Sequence, residues 1–344
     1  MRADANSWEA ENGVVGCFMM RRSWRGVLLV SAFGVLGWLQ PAGATAQAVA
    51  EAPVAGWTTP RTDWGVPDLQ GIWDYRTATP LQRPLQFGDR ETLTTEEVAA
   101  FEREESERLD DYDRSPSVHA KWWLDYGRQM TDDRRTSLIV DPPDGRIPPV
   151  TEAAKERAQA RADLRRRRGA DAAEFRGLGE RCISFGMPRF PGAYNNNFQI
   201  FQTPTSVAIV SEMIHDVRVI PLDGRPGLSP EMAQWHGDAR GYYEGDALVV
   251  ETTNFSPKSG FRGATTDLRL VERFTRIDQD TVHYEITLDD PATWSRPWTA
   301  LVPMKKTGQV MYEYACHEGN YGLGNILHNA RYAEDPEYVE KLRK

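Results

Sequence analysis

The chain has 344 residues, with 41 Lys and Arg against 50 Asp and Glu, a formal net charge of −9. That balance argues against a nucleic-acid partner, because phosphate binding asks for a basic face. The one basic run, Arg165 to Arg168, sits among Ala, Glu and Asp and reads as a solvated helix face.

The first segment, "MMRRSWRGVLLVSAFGVLGWLQPAGATAQA", has a basic region at Arg21, Arg22 and Arg25, an apolar core from Gly26 to Leu39, and an A-x-A site at Ala44-Thr45-Ala46. It reads as a secretory signal peptide over residues 1–46, with translation starting at Met19 or Met20 and residues 1–18 a mis-called start. The paired arginines leave twin-arginine export as the alternative route. The core is shorter than the roughly 20 apolar residues of a membrane span, so no stable span is expected after cleavage. The expected location is periplasmic or secreted. Cleavage removes Cys17 and leaves Cys182 and Cys316 in an oxidising compartment, where two cysteines pair. The alternative is a free nucleophilic Cys316 activated by His317, but neighbouring residues on a strand point to opposite faces.

Residues 47–70 are rich in Pro, Thr and Gly and read as an extended arm, leading into a first strand at Gly71-Ile72-Trp73. Thr94, with Glu97 three residues on, forms a capping box that opens a helix. A loop with Trp122 and Trp123 follows, then "TSLIVDPPDGRIPP", a short strand broken by a Pro-Asp-Gly turn. Thr151 opens a second charged helix that stops at Gly169. Neither helix has a wide apolar stripe, so residues 94–170 are a helical insertion, not a separate core.

From Asn197 to Cys316 the pattern changes to short alternating strands with closely spaced turns. The expected strands include "FQIFQT", "SVAIVSEMI", "VRVIPL", hairpins over 239–254 and 267–289, and a last pair over 298–316 ending in "VMYEYAC". The tail "NILHNARYAEDPEYVEKLRK" reads as a helix outside the sheet. The fold expected is all-β: an antiparallel up-and-down barrel, or a strongly curved sheet, with helical decorations, forming one domain over residues 71–344.

Strand parity sets Val310, Tyr312, Tyr314 and Cys316 against Met311, Glu313, Ala315 and His317, and Val282, Tyr284, Ile286 and Leu288 against His283, Glu285 and Thr287. The mixed face is either solvated or lines a polar lumen. "MIHDVRVIPLDGRP" crowds Glu212, His215, Asp216 and Arg218 around a turn, which one Asp alone would suffice to form. An imidazole beside carboxylates suits acid–base work near neutral pH. Tyr194 with Asn195, Asn196 and Asn197 is either a turn or a set of donors and acceptors for an oxygen-rich ligand. Asp238 and Arg240 are a structural ion pair or a ligand clamp, and Trp298 is one of several aromatics able to line a pocket. No H-E-x-x-H, C-x-x-C, phosphate loop or nucleophile elbow is present, though His215, His317 and a carboxylate leave an assembled metal site open.

The stretches "DLQGIW", "DRRTSLIVDPPDGRIPP", "YNNN", "MIHDVRVIPLDGRP", "GDARGYYEGDALVVETTNF", "ERFTR", "WSRPWTALVPM" and "YEYACHEGNYG" together resemble an uncharacterised family of exported bacterial proteins. The match covers nearly the whole chain after the leader. Gly71-x-Trp73 with the strand-turn pattern is also similar to lipocalin-like barrels.

The function expected is a cofactor-independent, exported enzyme doing acid–base chemistry, as a lyase or isomerase, on a small hydrophobic or aromatic molecule bearing oxygen. His215 and His317 are the acid–base candidates, Glu212 or Glu318 orient an imidazole, and Tyr194, Asn195, Asn196, Asn197, Arg218, Asp238, Arg240, Asn320 and Trp298 are candidates to hold the substrate. The alternatives are a periplasmic carrier without turnover and a metal-dependent hydrolase.

Overall fold

The computed structural model describes residues 56–114 and 125–335, with Asp335 followed by 337, 338 and 341. The expected signal peptide and the Trp122-Trp123 loop lie outside the described residues. The described residues belong to one compact unit, Val49–Lys344.

Ten strands form one antiparallel sheet: β1 Gly71–Asp74, β2 Ile139–Asp141, β3 Asn197–Gln202, β4 Ser206–Ser211, β5 Val217–Pro221, β6 Asp238–Glu244, β7 Ala247–Thr253, β8 Arg269–Arg276, β9 Thr281–Asp289 and β10 Trp298–Lys306. Their order is β5-β4-β3-β1-β10-β9-β8-β7-β6, with β2 pairing only with β10. Read around the sheet, this is next-neighbour, up-and-down connectivity. The first and last strands meet through Trp73 opposite Lys306, and the seam falls between β5 and β6. At that seam the strands approach through side chains. A Cβ on Gly241 of β6 would lie 2.8 Å from Ile220 Cγ2 and 2.9 Å from Leu222 Cδ2, so only glycine admits the facing strand. The result is a nearly closed, lipocalin-like barrel.

Alternation decides which face is inside. Leu248 and Val250, Leu270 and Phe274, Val282, Tyr284, Ile286 and Leu288, and Ala300, Val302 and Met304 all point inward and are buried. Phe198 meets Tyr75 at 4.8 Å and Tyr284 at 5.8 Å between ring centroids, and Phe274 stacks on Tyr284 at 4.7 Å. The interior is thus packed with side chains. One charged pair crosses it: Arg218 donates from Nη1 to Glu272 Oε1 (3.0 Å) and from Nη2 to Oε2 (2.6 Å), and the Tyr284 hydroxyl donates to Oε1 (2.6 Å). Burial opposes the charge on Arg218, but the facing Glu272 carboxylate outweighs it and holds the guanidinium above its ordinary pKa. Burial, then Glu272, pushes the Tyr284 phenol well up.

The mixed face of β9 lies outside the barrel yet is not solvated. His283 is 5% exposed and Glu285 8%. The segment carrying Asp133 and Arg135 lies beside His283, and the backbone N–H of Leu301 in β10 donates to Leu138 O at 2.8 Å.

The helices decorate the barrel. In α1, Thr95–Arg114, the capping box forms as expected: the Glu97 N–H donates to Thr94 Oγ1 (3.3 Å) and the Thr94 N–H to Glu97 Oε2 (2.9 Å). In α2, Glu152–Arg168, Thr151 Oγ1 caps Ala154 N at 3.1 Å, and Ala154 is the one buried residue. The third helix, α3, is Tyr321–Glu334, and none of its residues is buried.

One expected strand is absent. Residues 310–316 are irregular, and β10 stops at Lys306. The alternating Val310, Tyr312 and Tyr314 mimic a strand, but a strand requires a partner edge. The neighbour β9 begins only at Thr281, and β1 ends its pairing at Trp73 opposite Lys306. Val310 and Tyr312 are accordingly 70% and 80% exposed. A disulfide from Cys182 to Cys316, with Cα atoms 5.6 Å apart, ties this segment down instead.

Candidate functional site

Three irregular segments meet at one end of the barrel: the loop 182–196, the single helical turn Met213–His215 between β4 and β5, and the turn Phe261–Gly263 before β8. Between them lies a cleft of about 310 Å³, lined by Phe185, Pro188, Arg189, Phe190, Gly192, Ala193, Tyr194, Met213 and Phe261. That is the lower end of the volume range of small-molecule sites, and the lining is mainly apolar, with four aromatic rings among its nine residues.

The walls are braced from behind. Phe190 stacks over the fully buried Trp298 at 6.2 Å, and Trp298 meets Trp294 edge-on at 5.7 Å. Tyr194 stacks on Tyr314 at 6.3 Å with the rings 9° from parallel. Burial, with Tyr194 as its neighbour, pushes the Tyr314 phenol up to about 12. Asn196 closes the loop below, its Oδ1 accepting from Gly192 N (2.8 Å) and its Nδ2 donating to Gly192 O and Asp125 O.

The backbone around the cleft is strained. Of the seven described non-glycine residues with positive φ, five lie in the segments around the cleft, at Asn195 (55°) after Tyr194, Ile214 (58°) and His215 (45°) after Met213, Arg262 (47°) after Phe261, and Cys182 (54°); Arg134 (57°) and Asn254 (55°) are elsewhere. For β-branched Ile214 this is a true outlier. Each such residue costs roughly 1–3 kcal/mol, and strain of this kind gathers where ligands are held.

Arg189 is the polar group of the cleft. Among the described residues no carboxylate forms an ion pair with it, its Nε is buried without a hydrogen-bond partner, and its guanidinium lies over the Phe185 ring at 5.6 Å. Behind it sits Tyr75, whose phenol burial pushes up, while the Arg189 guanidinium pulls it down and the Glu212 carboxylate pushes it up. Glu212 in turn accepts from Asn197 Nδ2 at 2.8 Å. Asn197 Oδ1, in the same quarter, is also buried without a partner among the described residues.

Two imidazoles stand by the Met213 turn. His215 is exposed, and its Nδ1 lies 3.0 Å from Tyr314 O, a carbonyl that only accepts. Nδ1 therefore carries the proton and Nε2 offers the lone pair. His236, from the stretch "WHGDARG", is the residue sequence reasoning passed over. Its Nε2 lies 2.6 Å from Ser184 Oγ and 3.2 Å from Asp216 Oδ2. Nothing local to "WHGD" signals this, because the partners come from residues 184 and 216.

Of the residues singled out in sequence, Tyr194 lines the cleft, while Asn195, Asn197, Glu212 and His215 lie on the segments next to its lining. Others hold the scaffold. Trp298 supports the cleft wall from within the core and does not line it. Arg218 spends both terminal nitrogens inside the barrel on Glu272. Asp238 and Arg240 pair at 2.5 Å and strap the 225–228 loop, with Asp238 Oδ2 accepting from Leu228 N and Arg240 donating to Pro226 O. Asn320 caps α3 through Leu323 N and reaches Glu180 O at 2.8 Å. His317 and Glu318 sit exposed in the turn after the disulfide, away from the cleft lining. Among the described residues no group of three His, Cys, Asp or Glu side chains is placed to hold a metal ion, and no helix is long and apolar enough to cross a membrane.

Comparison with protein-family models, with curated proteins and with solved structures finds no match to this chain.

Proposed function

We propose that the protein binds a small aromatic carboxylate, or a like planar oxyanion, in this cleft, and catalyses proton transfer on it without a cofactor, as an isomerase or lyase. The observation that carries this reading is Arg189, a guanidinium with no carboxylate partner among the described residues, in a cleft that also holds four aromatic rings. An arginine fork recognises a planar oxyanion by paired charge-assisted hydrogen bonds. The Phe185, Phe190 and Phe261 rings would take the ligand's apolar body. His215, two residues past Met213 and with Nδ1 tied to Tyr314 O, would use its Nε2 as the acid–base group. Export to the periplasm or medium belongs to the same reading, supported by the leader pattern and by a disulfide, which persists in oxidising compartments.

The test uses benzoate and 3-phenyl-2-oxopropanoate, an aromatic acid with acidic benzylic hydrogens. Calorimetric titration with benzoate is expected to show saturable binding that Arg189→Met weakens at least tenfold. In D2O the protein is expected to speed exchange of the benzylic hydrogens, and His215→Gln to slow it while benzoate affinity stays. Binding without any exchange would leave a carrier. Binding indifferent to Arg189 would refute the assignment of the cleft.

A further inference from the structure

We propose that His236, oriented by Asp216 and Ser184, is a second acid–base group of this site, presenting Nδ1 to the bound aromatic acid. This rests on the proposed function of the cleft.

The tautomer follows from Asp216, whose carboxylate only accepts: its Oδ2 lies 3.2 Å from His236 Nε2, so that nitrogen carries the proton. Ser184 Oγ, 2.6 Å from Nε2, accepts the Gly186 N–H at 2.7 Å and, with the ring proton so placed, donates to the same Asp216 oxygen at 3.3 Å. In the neutral imidazole the lone pair is then on Nδ1, which has no partner among the described residues, on a ring that is 22% exposed.

This is not a serine nucleophile with its triad. In such a triad the acid and the serine occupy opposite ring nitrogens. Here both meet Nε2, and Ser184 is fully buried with its hydroxyl committed. What the arrangement does is orient the ring and hold one tautomer.

The three residues do not line the cleft themselves but sit on stretches of chain that run into its lining segments. Ser184 precedes Phe185, and Asp216 follows the turn that carries Met213. The His236 loop is tied by Gln234 N to Asn254 O (2.9 Å) and by Ser256 N to Gln234 O (2.7 Å), at the start of the chain leading to Phe261. In the step proposed, Nδ1 takes a proton from the carbon next to the carbonyl or carboxyl group. The electron pair moves onto oxygen, where Arg189 compensates the charge. The proton then returns to carbon, so atoms and electrons balance without a co-reactant.

The experiment is long-range 1H–15N spectroscopy of the full-length, disulfide-intact protein labelled at its six histidines, at pH 8, with His236→Asn for assignment. His236 is expected as the Nε2–H tautomer, with resonances that shift saturably with benzoate. His236→Asn is expected to cut benzylic exchange at least tenfold while benzoate affinity stays within threefold. Ser184→Ala and Asp216→Asn, as positioning changes, are expected to give mixed tautomers and to lower kcat more than they raise KM. An Nδ1–H tautomer in the free protein overturns the inference. If benzoate binds through Arg189 yet leaves His236 unmoved, the dyad falls and the cleft assignment stands. If benzoate does not bind, both fall.

Discussion

His283 should make the protein lose stability between neutral and mildly acidic pH. It lies on the outer face of β9, between Thr275 of β8 and Pro303 of β10, and is 5% exposed. Burial first, and the Arg135 charge second, bring its pKa down from 6.5 to about 4, with Asp133 opposing. The folded protein thus keeps this imidazole neutral where the unfolded chain protonates it. Stability from this residue is complete above pH 6.5 and is lost as the pH falls towards 4. At about 1.4 kcal/mol per pH unit, the difference between the two pKa values amounts to about 3 kcal/mol. Urea unfolding of the wild type and of His283→Gln at pH 7, 6, 5 and 4 measures it. The wild type should fall relative to the variant by about 3 kcal/mol across that range, whatever their offset at pH 7. Carboxylates common to both chains cancel in the difference. Parallel curves would refute the argument, since they would mean that His283 titrates alike in both states.

Three further outcomes follow from the scaffold. Glu272→Gln should cost roughly 3–5 kcal/mol in urea unfolding, because it leaves Arg218 charged and buried, whereas the double change Arg218→Met with Glu272→Leu should recover most of that loss. Gly241→Ala should cost about 1–3 kcal/mol by pushing Ile220 and Leu222 away from the seam, and amide exchange should quicken in β5 before it does in β8. Cys316→Ser, opening a link across 134 residues, should cost about 4–5 kcal/mol in the chain-entropy model. It should also weaken benzoate binding, because Tyr314 would no longer be held against Tyr194 and His215.

The parts of this fold that were legible in sequence are those whose cause is local. Thr94 with Glu97, Thr151 with Gly169, and the alternation in "TVHYEITL" each specify an element within a few residues, and the structure forms each of them. The alternation in "VMYEYAC" is just as regular, yet no strand forms, because whether an edge is available is decided by where β1 and β9 stop. The same limit governs the candidate site. Tyr194 and His215 stood out because polar and aromatic residues are dense in their own stretches. Arg189 and His236 did not, since neither is unusual beside its sequence neighbours. Arg189 stands out because, among the described residues, no carboxylate pairs with it, and His236 because residues 52 and 20 positions earlier converge on one ring nitrogen. The Asp216 carboxylate, which can only accept, then sets which ring nitrogen carries the proton. The proposed chemistry rests on contacts between separate segments, and Ser184, Asp216 and His236 acquire a role in it only together.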